Sequence, residues 1–364
     1  MSSSRTAAVR LSSRGLAGAS RKTKSEGNIG MAEDRKLSWL RQGLSAITLV
    51  GALIIGTTPV LAQDADLSTL SGEIVSDGSS TVGPLTQAVA EEFNGQAPDV
   101  QISVDISGTG GGFERFCAGD TDVQNASRAI EEDEITSCAE NGVDWYEFEV
   151  AYDGLTVVAN KENTWLTCMT TDQLKQLWQK ENPANTWADL NPDNPADTIN
   201  LYGPGTDSGT FDFFVETILG DAEIREDFTP SEDDNVLVEG VAGDVNALGY
   251  FGLAYYEANT DTLNAVAIDN GDGNCVAPSP ETVRDGTYAP LSRPLYVYLK
   301  AESLQRPEVQ EFARFYLSQA PTLAAEVGYV ASPDEAYAED MTSLEDAISG
   351  SGMPDSATAA TPAA

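Results

Sequence analysis

Three strand-to-helix junctions made of Ser, Thr and Gly constrain this chain more than any other feature. They read Asp77-Gly-Ser-Ser-Thr81, Ser107-Gly-Thr-Gly-Gly-Gly-Phe113 and Gly205-Thr-Asp-Ser-Gly-Thr210. An extended segment leads into each: Ile74-Val75, then Val100, Ile102, Val104 and Ile106 in strict alternation, then residues 199–202. Such alternation is the pattern of a strand with one buried face. Helical patterns follow. Pro84, tolerated early in a helix, precedes Leu85, Ala88, Val89 and Phe93; Phe113 and Phe116 mark a second helix. Phe211, Phe214, Val215, Ile218 and Leu219 form a third stripe at i, i+3, i+4, i+7 and i+8. Repeated strand–loop–helix units predict an α/β fold. The first turn of a helix leaves backbone N–H groups unpaired at the positive end of its dipole, and glycines with hydroxyl neighbours allow close approach. Each loop can therefore cradle a tetrahedral anion. A Ser or Thr before a helix most often only caps it, but three such loops point to one small oxyanion.

The amino-terminal region reads as an export signal. Residues 44–56 are apolar, Arg35, Lys36 and Arg41 precede them, and Val60-Leu-Ala62 offers small residues for a signal peptidase. A run of that length is short for a membrane span. Met31 is the expected start, and cleavage is expected after Ala62. No cysteine lies near that site, so the mature terminus is not expected to carry a lipid. Residues 1–62 hold 9 of the 20 basic and 3 of the 58 acidic residues, leaving 11 basic against 55 acidic and a formal charge of −44. Patterned apolar segments recur along the whole chain, so this acidity is that of a folded surface suited to concentrated salt rather than of disorder. It also excludes nucleic acid and anionic membranes as natural partners.

There is no histidine. That removes Ser-His-Asp and Cys-His activation and nearly every zinc site, so no metal or other cofactor is expected. Ser208 lacks its usual base, and Lys161, Lys175, Lys180 and Lys300 lie in no recognisable Ser-Lys motif. Cys117, Cys138, Cys168 and Cys275 have no C-x-x-C pair. An even count in an exported chain favours disulfides, with three connectivities open. Cys117–Cys138 and Cys168–Cys275 are the favoured pairs. Residues 145–159 are expected as two extended segments flanking Asp153-Gly154. Leu174, Leu177 and Trp178 mark a helix capped by Thr170 or Thr171. Strands are expected at 248–251, 265–268 and 295–299, two or three helices over 307–348, and a disordered tail over 349–364.

Read in order, Asp77-Gly-Ser-Ser-Thr-Val82, Ser107-Gly-Thr-Gly-Gly-Gly-Phe113, Asn125-Ala-Ser-Arg128 and Tyr202-Gly-Pro-Gly-Thr-Asp-Ser-Gly-Thr210 resemble one family. It is the periplasmic phosphate-binding proteins of bacterial phosphate ABC importers, the PstS family. Leu248-Gly-Tyr-Phe-Gly252 and Arg293-Pro-Leu-Tyr296 are similar to later segments of that family. The resemblance implies a type II periplasmic-binding-protein fold, two α/β lobes joined by two crossover strands near residues 152–155 and 291–294. Lobe 1 would comprise 70–152 plus 293–348 and lobe 2 would comprise 153–292, so each favoured disulfide would lie within one lobe.

The resemblance also implies the ligand set: Ser80, Thr81 and the Val82 N–H from the first loop, Thr109 from the second, and Ser208, Gly209 and Thr210 from the third. The chain differs from better-studied members at Arg128, where they carry an aspartate, and near Pro204, where they carry an arginine. It is similar instead to the subgroup with Asn-Ala-Ser-Arg and Thr-Asp-Ser-Gly-Thr, in which Arg128 would offer a bidentate guanidinium. Selectivity over sulfate calls for a carboxylate that accepts the phosphate proton; Asp207 comes first, with Asp77 and Asp153 as substitutes. The expected function is an extracytoplasmic, monomeric receptor that captures inorganic phosphate and delivers it to the permease of an ABC importer. A receptor for sulfate, molybdate or arsenate is the alternative, and an exported phosphate-ester hydrolase a further one.

Overall fold

A computed structural model describes residues 66–359. The expected signal sequence, the start at Met31, the cleavage after Ala62 and residues 360–364 lie outside the described residues. The first lobe opens with β1 (Ser71–Gly78), whose Ile74 sits in the core. α1 (Gly83–Asn94) follows and buries Leu85, Val89 and Phe93, with its Pro84 where no N–H partner is needed. β2 (Asp99–Val104), α2 (Gly108–Cys117), β3 (Val123–Ala126) and α3 (Glu132–Asn141) complete the run. β2 and β3 pair in parallel on either side of β1. Ile106, expected in the second strand, lies past its end and is 53% exposed.

The chain then enters β4 (Trp145–Asn160), which passes from one lobe to the other. It is one continuous strand, not two segments around Asp153-Gly154. Those residues stay extended because a returning strand, described below, pairs across them. The second lobe holds β5 (Cys168–Thr170), α4 (Thr171–Trp178), α5 (Trp187–Leu190), β6 (Asn200–Gly203) and α6 (Gly209–Phe214). Thr170 caps α4 through a reciprocal pair with Gln173. A π turn over Val215–Leu219 extends α6. β7 (Thr229–Pro230), α7 (Asp234–Ala242), β8 (Ala247–Gly252), α8 (Leu253–Glu257), β9 (Leu263–Ala265), β10 (Ala267–Asp269) and α9 (Pro280–Arg284) follow.

β11 (Ser292–Lys300) returns to the first lobe antiparallel to β3 and β4. α10 (Pro307–Glu326) and α11 (Asp334–Ser349) then pack on the first lobe. The strand order is β2-β1-β3-β11-β4-β8-β6-β7, with β9 also on β4 and β10-β5 as a separate pair. The polypeptide stays ordered past the expected start of the tail. Residues 355–359 form α12 (Asp355–Ala359), where Asp355 accepts the Glu147 N–H at 2.8 Å and Ser356 donates to Asp144 at 2.8 Å.

Burial divides into separate cores. Ile74, Leu85, Phe93, Val150, Val297 and Phe312 belong to one, and Leu155, Leu174, Trp178, Trp187, Phe214 and Tyr250 to another. Cys117 pairs with Cys138, joining α2 to α3, and Cys168 pairs with Cys275 beside β5 and β10. Each cross-link stabilises by about 3–5 kcal/mol in the chain-entropy picture.

Candidate functional site

The two strands that run between the lobes set the site. Arg293 on β11 stands opposite Asp153 on β4. Its guanidinium lies 3.3 Å from the Asp153 carboxylate through both Nε and Nη2. Burial pushes the Asp153 carboxyl up, and the neighbouring guanidinium only partly offsets this. The other edges of Arg293 donate to Thr81 Oγ1 at 2.6 Å and Ser127 Oγ at 3.3 Å. Its plane sits 3.8 Å from the centre of the Phe213 ring, a cation–π contact at a site only 13% exposed. Nη2 also reaches the Gly209 carbonyl at 3.5 Å. One side chain thus touches both lobes.

The first loop is shaped from beneath. β1 ends on Gly78 at φ +132°, where a Cβ would run into the Asn125 carbonyl. Ser79 donates its N–H to that carbonyl and accepts from the N–H groups of Thr81 at 3.1 Å and Val82 at 3.4 Å. Behind the loop, fully buried Asp77 accepts from the N–H groups of Gly78 at 2.7 Å and Ser107 at 3.0 Å and pairs with Arg115. It clamps the first loop to the second. Thr109 in the second loop shares its hydroxyl with the Ser127 N–H at 3.2 Å and the Ser127 hydroxyl at 3.1 Å.

The third loop meets the first across the cleft. Thr81 Oγ1 reaches the Gly209 carbonyl at 3.4 Å, and Ser80 Oγ donates to Asp212 at 3.0 Å. A Cβ on Gly209 would stand 2.8 Å from the Thr81 nitrogen and Cα, so glycine lets the lobes meet. Between them lies a cavity of about 420 Å³. Ser79, Ser80, Thr81, Gly108, Thr109, Gly110, Ser127, Arg128 and Arg293 form one wall; Asp212, Phe213, Glu216 and Thr217 form the other. Hydroxyls, guanidiniums and a few carboxylates in so small a space suit a small hydrated anion.

Residues 64–320 match the PBP superfamily domain. Protein SphX of Synechocystis sp. is 45% identical over 305 residues, 83% of this chain and 88% of the relative. Phosphate-binding protein PstS of Staphylococcus saprophyticus is 38% identical over 306 residues, 82% of this chain and 94% of the relative. The chain belongs to the PstS family of phosphate-binding proteins. A crystal structure of a possible phosphate binding protein from Planctomyces limnophilus DSM 3776 superposes with TM-score 0.72 at 45% identity, over 77% of this chain and 99% of that one. An ABC-type phosphate transport receptor from Vibrio cholerae, 22% identical with TM-score 0.53, shares the fold, a mixed α/β two-lobe binding-protein architecture. PstS proteins are binding proteins, so this chain is not the phosphate-ester hydrolase named as a further alternative.

Within this PstS-family site, Ser80, Thr81, Thr109 and Arg128 line the cavity. Ser208, Gly209 and Thr210 adjoin it at the start of α6, where Ser208 Oγ accepts the Thr210 N–H at 3.2 Å. The Val82 N–H is occupied by Ser79. The bidentate edge of Arg128 is spent on Glu134, at 2.8 and 2.7 Å, and its Nε lies 3.2 Å from Glu131. The Glu134 bonds also raise its pKa. Asp207 is exposed, does not line the cavity, and donates its backbone N–H to Glu232 Oε1 at 3.4 Å; Asp77 and Asp153 are buried behind the wall.

Sequence reasoning assigned no role to Ser127, Asp212, Phe213, Glu216, Thr217 or Arg293. Signals for some of them were present. Ser127 and Arg293 belong to Asn125-Ala-Ser-Arg128 and Arg293-Pro-Leu-Tyr296, two of the segments that resemble the family. Asp212 and Glu216 occupy i and i+4 along one flank of the apolar stripe of the third helix.

Proposed function

We propose that this protein captures inorganic phosphate between its lobes outside the cytoplasm and hands it to the permease of a phosphate ABC importer. The observation that carries this reading is the convergence of two hydroxyl-bearing loops, Arg293 and the start of α6 on one small interlobe cavity. Thr81, Thr109, Ser80 and Ser127 offer hydroxyls to phosphate oxygens, and Arg293 supplies the central charge. Arg128 adds an N–H from the rim. Gly209 and Thr210 contribute amides as the anion replaces the direct contacts between the loops, with Ser208 capping the turn. Charge-assisted bonds of this kind contribute about 1.5–3 kcal/mol each.

Asp212 takes the acceptor role first considered for Asp207, because it lies in the cavity wall. Phosphate keeps a proton near neutrality that it can donate to a carboxylate. Sulfate has none and would meet a repelling, unpaired oxygen. Export through a cleaved signal ending at Ala62, without a lipid anchor, fits this role. Among the described residues no helix is long and apolar enough to cross a membrane.

Calorimetric titration in concentrated salt tests the reading. Tight one-to-one phosphate binding with silent sulfate is expected. Sulfate binding would overturn the acceptor argument, and silence with both anions would reduce the loops to helix caps. Arsenate, nearly isosteric and equally protonated, is expected to compete.

A further inference from the structure

We propose that Tyr329 is a positioning residue for the anion site, holding Thr81 from behind through a third link between the lobes made of residues 327–331. This rests on the phosphate reading above and names a residue through which that site is set.

The link begins where α10 ends. Gly328, at φ +94°, turns the chain, and the Tyr329 N–H closes on the Ala324 carbonyl at 2.8 Å. A Cβ on Gly252 of β8 would stand 3.2 Å from the Gly328 carbonyl, so this turn lies against the second lobe. Val330 then pairs with Tyr152 of β4 in both directions, donating its N–H at 2.9 Å and accepting at 2.8 Å. Tyr152 immediately precedes Asp153, and its partner on β11 is Pro294, which has no N–H to give. β4 is therefore flanked on both edges at the point where it crosses between the lobes.

Side chains alternate about this bridge as they do in a strand. Val330, 7% exposed, packs into the second-lobe core with Leu155 and Leu291, whereas Tyr329 and Ala331 pack against the core of the first lobe. The Tyr329 phenol donates to the Thr81 carbonyl at 2.5 Å. Thr81 is thus held by its N–H on Ser79 Oγ at 3.1 Å, its carbonyl on Tyr329, and its hydroxyl on Arg293 at 2.6 Å. Of these partners, Tyr329 ties the first loop to a backbone segment whose next side chain is seated in the opposite lobe. Burial, and after it the Asp153 charge, pushes the phenol up, so it stays a donor across the neutral range. Without this bond the Thr81 hydroxyl loses a brace that fixes it before Arg293, and the cost falls on anion affinity.

The test is a double-mutant cycle on the phosphate dissociation constant, measured by calorimetry in concentrated salt. Tyr329→Phe keeps the ring and deletes the donor, so phosphate should bind about threefold to tenfold more weakly, with at most a small fall in the phosphate-free melting temperature. In a Thr81→Ala background the same substitution should change affinity little, because no hydroxyl remains to be placed. Val330→Ala keeps the phenol but loosens its anchor in the second lobe, and should weaken binding about threefold. Unchanged affinity in Tyr329→Phe, or a loss that adds in full to that of Thr81→Ala, would overturn the positioning role and leave the phosphate reading standing. Unchanged affinity in Val330→Ala would overturn the link between the lobes. No phosphate binding by the unsubstituted protein would instead remove the phosphate reading, and the role of Tyr329 with it.

Discussion

Arg293 neutralises Asp153, orders the first loop through Thr81, and stacks on Phe213 of the opposite lobe. Lysine keeps the charge but has neither the planar fork nor the stacking face. Arg293→Lys is expected to weaken phosphate binding by about 1.5–3 kcal/mol, roughly tenfold to a hundredfold by calorimetry. The melting temperature should change much less, because Asp153 keeps a cation beside it. Gly209→Ala tests closure by itself. The new methyl would press on the Thr81 backbone at 2.8 Å, so affinity should fall at least about tenfold with little change in thermal unfolding. Local motifs pointed to Thr81 and Thr109, whose hydroxyls belong to helix-opening loops and which line the cavity. They could not reveal that Arg293 faces Asp153, because that pairing joins positions 140 residues apart and depends on register between two strands. Asp207 and Asp212 differ only in which side of one turn they occupy, and periodicity at a helix start is too short to decide it.

Among the elements, α3 shows how a helix terminus supports a site far from its own middle. Its capping box has Glu134 accepting the Glu131 N–H at 2.9 Å, and the same carboxylate grips Arg128. The disulfide to Cys117 ties this helix to α2, whose N-terminus is the second loop.

At the other end of the lobe, α11 and α12 lie along β4 with few cations nearby. Burial and then the negative field of Glu149, Glu339, Asp355 and Glu147 push the Asp340 carboxyl up to about 7. A carboxyl raised on folding contributes its stability below the ordinary carboxylate range and loses it as pH rises through the folded value. The melting temperature at low salt should therefore fall between about pH 5 and about pH 8, and Asp340→Asn should flatten that fall. A slope unchanged in the variant would assign the dependence to other groups. These acids occupy separate positions along the sequence, and only the docking of α11 and α12 on β4 collects them. The continuity of β4 was equally hidden, because Asp-Gly usually signals a turn and only its pairing with β11 keeps it extended.

For the whole molecule, the puzzle is an acidic protein that holds an anion. The described residues pair most of their few cations locally, as Arg115, Arg225, Arg306 and Arg314 do. Attraction at a distance cannot be what draws phosphate in. At about 1 M salt the Debye length is roughly 3 Å, so remote carboxylates act weakly inside the cleft and short hydrogen bonds dominate. Phosphate affinity should hold or improve as salt is raised from about 0.1 M to about 1 M, whereas a steep loss would mean that long-range charge was responsible. The two-lobe plan was legible in the sequence because strand–loop–helix units repeat and the family strings keep their order. The closed contact between Thr81 and Gly209 was not, since it belongs to neither lobe alone.

The most direct measurement is a crystal structure of the purified protein grown with phosphate. The account predicts one phosphate in the interlobe cavity, with oxygens on Arg293, Thr81 and Thr109 and a phosphate hydroxyl directed at Asp212. Phosphate seated elsewhere, or a cavity still closed by direct Thr81–Gly209 contact with no anion between the lobes, would contradict it.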